Sequence, residues 1–417
     1  MSIEGWFNKK VKDICDLGRG RVIGAQEIEL NPGIYSVFSS QSQNRGEMGK
    51  IDTYDFDGEY VTWTTDGAYA GTVFYRVGKF NCTNVCGTLK AKNSQVSMKF
   101  IAYNLSTLAK NHVSYVGNPK LMNNVMANIE LSLPDIKEEQ AQIATILSTI
   151  DRAIEQTEDI IAKQQRIKTG LIQDLLTKGI DEDGNVRSEE THEFKDSPLG
   201  RIPVDWDVQL LDKLAERGSG HTPNKTHQEY WNGGIKWVSL ADSSKLDNIY
   251  IFDTDKEISE QGLKNSSAVL HPKGTVIVSR DAGVGKSAIL STQMAVSQHF
   301  IVWRCSRNLN NYYLYYWLQK DKPKFEGIAL GSTIVTIGLQ FFREYLIAIP
   351  NLLDEQIFIA QIIKHSDECL CEHQHNLEKL KRQKTGLMQD LLTGNVRVIA
   401  LLNDQNKTPI HETVTLK

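Results

Sequence analysis

The sequence predicts an α+β fold in which two globular mixed α/β domains are separated by two long helices, antiparallel and coiled-coil-like. One half of the chain is expected to be a tandem copy of the other. Three observations predict this. Residues 133–177 and 349–393 align without a gap at an offset of 216, with 18 of 45 positions identical; agreement is densest between KTGLIQDLLT (168–177) and KTGLMQDLLT (384–393). Within each copy apolar residues recur at spacings of about four and three, a narrow stripe suited to helix-on-helix packing. The remaining segments alternate short strand patterns with glycine turns.

Taken in order, residues 1–132 read as the first domain, with strands expected at 33–38, 60–65 and 72–76. The loop between Ser39 and Lys50 is rich in side chains that hydrogen-bond base edges and phosphates, among them Gln41, Gln43, Asn44 and Arg45. Residues 133–179 give a strand, a proline and the first long helix, with Asp135 and Glu138 at its positive end. Its stripe includes Ile143, Leu147, Ile154, Leu171 and Leu175. Residues 180–206, polar and acidic with two prolines, read as a linker.

The second domain spans 207–348. Gly218-Ser219-Gly220 parallels Gly18-Arg19-Gly20, and Gly274 and Gly283 lie 216 residues beyond Gly58 and Gly67, so the duplication is expected to cover the whole half-chain. Residues 349–398 repeat strand, proline and long helix, with Asn351 and Asp354 at the helix start and a stripe including Ile359, Ile363, Leu370, Leu387 and Leu391. Each helix is expected to cover the other's stripe, and about 40 residues make a rod of about 60 Å. Gly170 and Gly386, at matching places in the pattern, read as points of close helix approach or as tolerated weak points of the helix. Residues 399–417 read as a flexible polar tail.

The 417 residues are 40% hydrophobic and 24% charged, an ordinary globular composition. No apolar run approaches the roughly 18 residues that span a bilayer, and no signal-peptide core is evident; a cytoplasmic location is expected. The six cysteines fit no common zinc spacing and read as reduced thiols. The formal net charge of −4 is uneven: +2 over residues 1–130, +1 over 191–348 and −6 over 131–190. The acidic excess thus falls on the first helix and linker, which leaves nucleic-acid binding by the domains open.

The sequence carries no recognisable catalytic pattern. Gly283-Val284-Gly285-Lys286-Ser287 follows a strand, but a phosphate-binding loop needs a glycine where Arg280 stands. An NTPase using Lys286 is therefore a minor alternative. No adenine-methyltransferase or metal-nuclease motif is present. His365, Cys369 and His373 fall four apart on one helix, a spacing that could hold a metal, yet the first copy has Thr149, Ala153 and Thr157 there, and a solvated face is the better reading.

The chain resembles the specificity subunits of type I restriction–modification enzymes. The resemblance is carried by LPDIKEEQAQIA (133–144) and IPNLLDEQIFIA (349–360), by the two KTGL helix ends, by KDSPLGRIPVDW (195–206) and by YWNGGIKWVSLAD (230–242). It implies that each globular part is a target-recognition domain reading half of a bipartite DNA sequence. It also implies that the helix pair sets the spacing and docks two methyltransferase subunits, with motor-nuclease subunits joining later. The chain itself is then no enzyme, and AdoMet, ATP and Mg²⁺ belong to the partners. DNA-reading residues are expected at Gln41, Asn44, Arg45, Thr64 and Thr65 in the first domain and at Arg217, His221, Ser279, Arg280 and Lys286 in the second. The alternative is a coiled-coil scaffold that binds proteins through its globular ends.

Overall fold

A computed structural model describes residues 4–40, 43–281, 283–330 and 336–405. The chain divides into two compact units, one of residues 1–158 and 375–417 and one of residues 159–374, so the boundary falls inside both long helices.

In the first unit, β1 (Trp6–Lys10) is followed by β2 (Cys15–Arg19), β3 (Pro32–Phe38) and β4 (Glu47–Ile51). Next come β5 (Glu59–Thr64), β6 (Val73–Val77), β7 (Phe80–Cys82), β8 (Cys86–Ala91) and helix α1 (Met98–Leu108). Strand β9 (Glu130–Pro134) leads into the first long helix, α2 (Lys137–Leu175). Strands β2-β8-β5-β6 form an antiparallel sheet, β4-β3-β7 a second sheet with β3 and β7 parallel, and β1 pairs with β9 from Trp6 opposite Pro134 to Lys10 opposite Glu130. The three strands expected within this domain are present as β3, β5 and β6, and the inward residues Val61 and Trp63 of β5 and Leu89 of β8 join Phe100, Ile101 and Leu105 of α1 in one core.

The second unit repeats this frame. A hairpin of β10 (Phe194–Ser197) and β11 (Gly200–Pro203) precedes β12 (Trp206–Leu210), β13 (Ala215–Ser219), β14 (Trp231–Val238), β15 (Tyr250–Ile251) and β16 (Lys256–Ile258). Then follow β17 (Leu270–His271), β18 (Val276–Ser279), β19 (Ser287–Leu290), β20 (Met294–Val296) and β21 (Phe300–Cys305). Helix α3 (Asn311–Leu330), β22 (Leu346–Pro350) and the second long helix, α4 (Leu353–Leu392), complete it. The sheets are β13-β21-β18-β19-β15 and β16-β14-β20-β17, and β12 pairs with β22 from Trp206 opposite Pro350. From β12 to β22 this is, strand for strand, the first unit with β15 and β17 added, and the β10–β11 hairpin has no counterpart there.

The ladders correct the expected register of the duplication. Gly18 lies opposite Thr88 on β8 and Gly218 opposite Val302 on β21, an offset of 200 on the first strand of each pair, whereas Pro134 and Pro350 keep 216. Phe38 matches Val238, each being paired in parallel with the end of the β7 or β20 strand, and Thr64 matches Ser279. The second unit's extra residues therefore lie between Val238 and Ser279, where β15 and β17 arise. Gly20 and Gly220 are equivalent in contact as well as in sequence. A Cβ at Gly20 would stand 2.1 Å from the Cys82 carbonyl oxygen, and one at Gly220 1.6 Å from that of Val296, so only glycine lets the two sheets approach there.

The long helices do more than cover one another. Ile143, Leu147 and Leu391 are buried in the first unit's sheet core, and Leu175, Ile359 and Ile363 in the second's; Leu387 and Leu171 pack at the edges of those cores, and Leu370 is also buried. Ile154 is half-buried. The stripe was expected to be a helix–helix seam, but its ends are parts of domain cores, which is why they carry the more complete burial. Gly170 and Gly386 are exposed, and an added Cβ would meet nothing within 4 Å, so the expected close helix approach is not their reason.

In each unit the start of one long helix is clamped to the segment that follows the other. Glu139 of α2 is fully buried and receives Arg397 Nε and Nη2, both at 2.7 Å. Glu355 of α4 receives Arg187 Nη1 at 2.7 Å and Nη2 at 3.2 Å, and also Trp206 Nε1 at 3.2 Å. These forked pairs are the strongest geometry a carboxylate can be given. The neighbouring glutamines repeat too: Gln140 Nε2 donates to the Pro134 carbonyl at 2.9 Å and Gln356 Nε2 to that of Pro350 at 3.2 Å. Further along, Asp151 accepts Tyr103 Oη at 2.5 Å and Lys384 at 2.6 Å, while Asp367 accepts Tyr316 Oη at 2.9 Å and pairs with Lys168. With Lys381 on Glu158 at 3.0 Å, these contacts run α2 and α4 antiparallel within the first unit.

Two expectations about connecting segments are corrected. Residues 180–206 are not a free linker, since Ile180, Ile202 and Trp206 are buried in the second core and Arg187 holds Glu355. The expected tail at 399–417 begins as a helical turn, Ile399–Gln405, after the buried Val398; residues 406–417 lie outside the described residues.

Candidate nucleic-acid interface

The polar loops of each unit rise from the sheet frame just described. In the first unit the β3–β4 connection carries Asn44 and Arg45, both exposed and both in the left-handed region at φ 48° and 54°. Asparagine tolerates that region, whereas an arginine there is uncommon and needs support. Support comes from Arg76 on β6, whose Nη2 donates to the Arg45 carbonyl at 2.5 Å and whose Nε donates to Thr62 Oγ1 at 3.3 Å. The Arg76 guanidinium lies 3.5 Å from the Phe38 ring centroid and 4.5 Å from that of Phe74, two cation–π contacts. Burial pushes its pKa down to about 10, still charged at neutral pH. Gln41 lies outside the described residues.

The β5–β6 turn changes part of the expected site. Thr64 and Thr65 are 1% and 0% exposed, so they do not offer their hydroxyls to a DNA groove. Thr64 closes the hairpin, its N–H donating to Thr72 O and its carbonyl accepting from Gly71 N–H. Thr65 Oγ1 accepts from Arg19 Nη2 at 3.3 Å, and Arg19 Nε donates to Asn84 O at 2.5 Å. The sequence reading passed over Arg19, which is exposed, although its place between Gly18 and Gly20 was noted; the half-exposed Tyr69 on the turn was also passed over.

The second unit's β18–β19 turn is the structural counterpart. Ser279 is buried and its carbonyl accepts from Gly285 N–H, as Thr64 does from Gly71; Gly71 and Gly285 sit at φ 81° and 80°. Ser279 is thus a hairpin-closing residue, a correction with the same cause as Thr64. Arg280 is half-buried, with Nε 3.9 Å from Asp281. Asp281 in turn accepts from Thr336 and bonds His299. Lys286 Nζ donates to Asp247 Oδ2 at 2.8 Å and to the Ser243 carbonyl at 3.3 Å. Gly283 to Ser287 leads into strand β19, not into a helix N-terminus, and Lys286 is already paired. These residues do not fit a nucleotide, and the NTPase alternative falls.

Arg217 is half-buried, its Nε donating to both oxygens of Asp212 at 3.0 Å, so it is held rather than free. His221 is exposed on the segment after Gly220, and six residues on the His227 ring stacks on Tyr230 at 4.7 Å. Among the described residues no group of three or more His, Cys, Asp or Glu is arranged to hold a metal; Cys369 Sγ lies 3.8 Å from His365 Nε2 without forming a site. No helix among them is long and apolar enough to cross a membrane.

A repeated two-sheet frame that presents different polar hairpins at equivalent places defines a tandem recognition protein. Comparison with known proteins agrees. The family model described as the type I restriction modification DNA specificity domain matches residues 3–164 and again 203–382. A Mycoplasma pneumoniae protein named as type I specificity subunit S.MpnORF507P is 32% identical over 358 residues, 85% of this chain and 87% of that one. The specificity subunit of the type I restriction enzyme MpnII, from the same organism, is 49% identical over 144 residues, 34% of this chain and 43% of that one. The crystal structure of the type I restriction–modification S subunit from M. genitalium has the same fold, with a TM-score of 0.64, 15% identity, and coverage of 93% of this chain and 96% of that one. The chain belongs to the type I restriction–modification DNA specificity family.

Proposed function

We propose that this chain is the DNA-reading, non-catalytic specificity subunit of a type I complex. Each unit reads one half of a bipartite duplex target. The paired helices fix the gap and seat two methyltransferase subunits, and motor-nuclease subunits join that assembly; AdoMet, ATP and Mg²⁺ act on those partners. One observation carries the reading: the strand frame and its arginine–glutamate clamps are repeated, while the hairpins the frame presents differ in length and side chains. A protein that reads two different half-sites from one kind of platform needs that combination.

Asn44, Arg45 and His221 are the expected readers that stand exposed, and we add Arg19. Selection of bound duplexes from a random pool by the chain in complex with its methyltransferase subunits tests this. The selected pool should converge on two short blocks. Arg45→Ala should cost about 1–3 kcal/mol of binding and relax one position if the side chain reads a base. Enrichment of no sequence would contradict the reading.

A further inference from the structure

One turn in each unit is hydrogen-bonded to the three polar segments around it. In the first unit it runs from Cys82 to Cys86, between β7 and β8. Thr83 N–H donates to the Phe38 carbonyl at 2.8 Å, Thr65 N–H to that of Val85 at 2.9 Å and Arg21 N–H to that of Cys82 at 3.1 Å. The turn from Val296 to Phe300, between β20 and β21, repeats these bonds. Ser297 N–H donates to Val238 at 2.8 Å, Arg280 N–H to His299 at 3.0 Å and His221 N–H to Val296 at 3.1 Å. The shared bonds make Asn84 the counterpart of Gln298. Both are exposed, so each unit carries a carboxamide at the same point, in the midst of its polar loops.

The Gln298 amide is held in place. Thr222 Oγ1 donates to its Oε1 at 2.6 Å, and its Nε2 lies 3.4 Å from His299 Nε2. His299 Nδ1 bonds Asp281, which also accepts from Thr336. With Nδ1–H given to the carboxylate, Nε2 is the acceptor for an amide N–H. The amide keeps one oxygen lone pair and one N–H for a ligand. An exposed glutamine gains little stability from such a chain of bonds, but it gives up beforehand the freedom that binding would otherwise cost. Beside Asn84, Arg19 donates to the Asn84 main-chain carbonyl at 2.5 Å.

We propose that Asn84 and Gln298 each read an adenine in the major groove, one in each half-site, accepting from its N6 amino group and donating to its N7. The inference rests on the reading of the chain as a specificity subunit and assigns a base to one side chain of each unit. Adenine alone sets an amino donor beside the N7 acceptor on its major-groove edge, the pattern that a carboxamide complements. Guanine offers two acceptors there and repels the amide oxygen.

Competition binding tests this, using the full chain in complex with its modification subunit and duplexes of the selected motif in which each adenine is replaced in turn by 7-deaza-adenine. The replacement removes only the N7 acceptor. In the wild-type complex, replacement of one such adenine in each block should weaken binding by about tenfold. Gln298→Ala should erase that sensitivity in one block and Asn84→Ala in the other, while the untouched block's sensitivity shows that the protein is folded. Gln298→Glu, of the same length, should erase it too, because a carboxylate has no proton to give N7. Erasure by neither alanine variant, or by both at the same adenine, would overturn the assignment. So would a selected block without adenine, or a Gln298→Glu variant that keeps full sensitivity. A wild-type complex that selects no two-block motif would instead overturn the reading on which the assignment rests.

Discussion

The first and second units are alike where they hold the long helices and unlike where they face outward. Glu139 and Glu355 each receive a forked arginine from the segment that follows the other helix. Asp151 and Asp367 each join a tyrosine and a lysine. By contrast, the turn from Thr64 to Thr72 presents Tyr69, while that from Ser279 to Lys286 presents Arg280 and a lysine tied to Asp247. The difference teaches that duplication preserved the joints and released the hairpins. Contacts that fix a frame tolerate little change, whereas a reading surface must differ if the two half-sites differ.

If the joints are equivalent, breaking them should be equally harmful. Arg397→Ala and Arg187→Ala should each cost about 3–5 kcal/mol in urea unfolding, because each takes the charged partner from a carboxylate shielded from water, Glu139 buried and Glu355 half-buried. A large loss in one and none in the other would break the equivalence. Next in size, Gly20→Ala and Gly220→Ala should each destabilise by about 1–3 kcal/mol through collision with a strand carbonyl. Tolerance at either would show that its sheets can separate. Tyr103→Phe and Tyr316→Phe each remove one hydrogen bond to an aspartate and should cost about 0.5–1.5 kcal/mol.

The smallest effect sharpens the contrast. Burial pushes His271 of β17 below the usual histidine range, and its Nε2 is buried without a partner among the described residues. The unfolded chain therefore takes up the proton first as pH falls through about 6.5, and stability present at neutral pH is lost below that point. The sheet of β4, β3 and β7 has no histidine. His271→Phe should flatten the decline in melting temperature between about pH 7.5 and about pH 5.5; an unchanged decline would place the sensitivity elsewhere.

The frame was legible in the sequence because duplication prints it twice. The offset of 216, the proline that ends each inner strand and the stripe on each helix all find structural counterparts. The clamps were legible and were missed: Gly184-Asn185-Val186-Arg187 recurs as Gly394-Asn395-Val396-Arg397 after each KTGL helix end, and the purpose of that repeat shows only when Arg187 and Arg397 meet their glutamates. The interface was less legible for a physical reason. A hydroxyl or guanidinium beside a glycine turn looks the same in sequence whether it faces solvent or closes the turn, and Thr64, Ser279 and Arg217 proved to be the latter kind, fixed by contacts distant in the chain. Buried Arg76, its guanidinium against the rings of Phe38 and Phe74, has no local signature at all.

The central claim is that one frame carries two independent readers at a set distance. Base-resolution mapping of methylated genomic DNA, from cells expressing the chain with its modification subunit, tests it most directly when repeated with seven residues inserted between Ile150 and Ile167. Seven residues are roughly two helical turns, which restores the face and lengthens the helix by about 10 Å, or roughly three base pairs. The account predicts a split motif whose two blocks are unchanged by the insertion while the gap between them widens. A single contiguous motif, or an active insertion variant with the original gap, would contradict it.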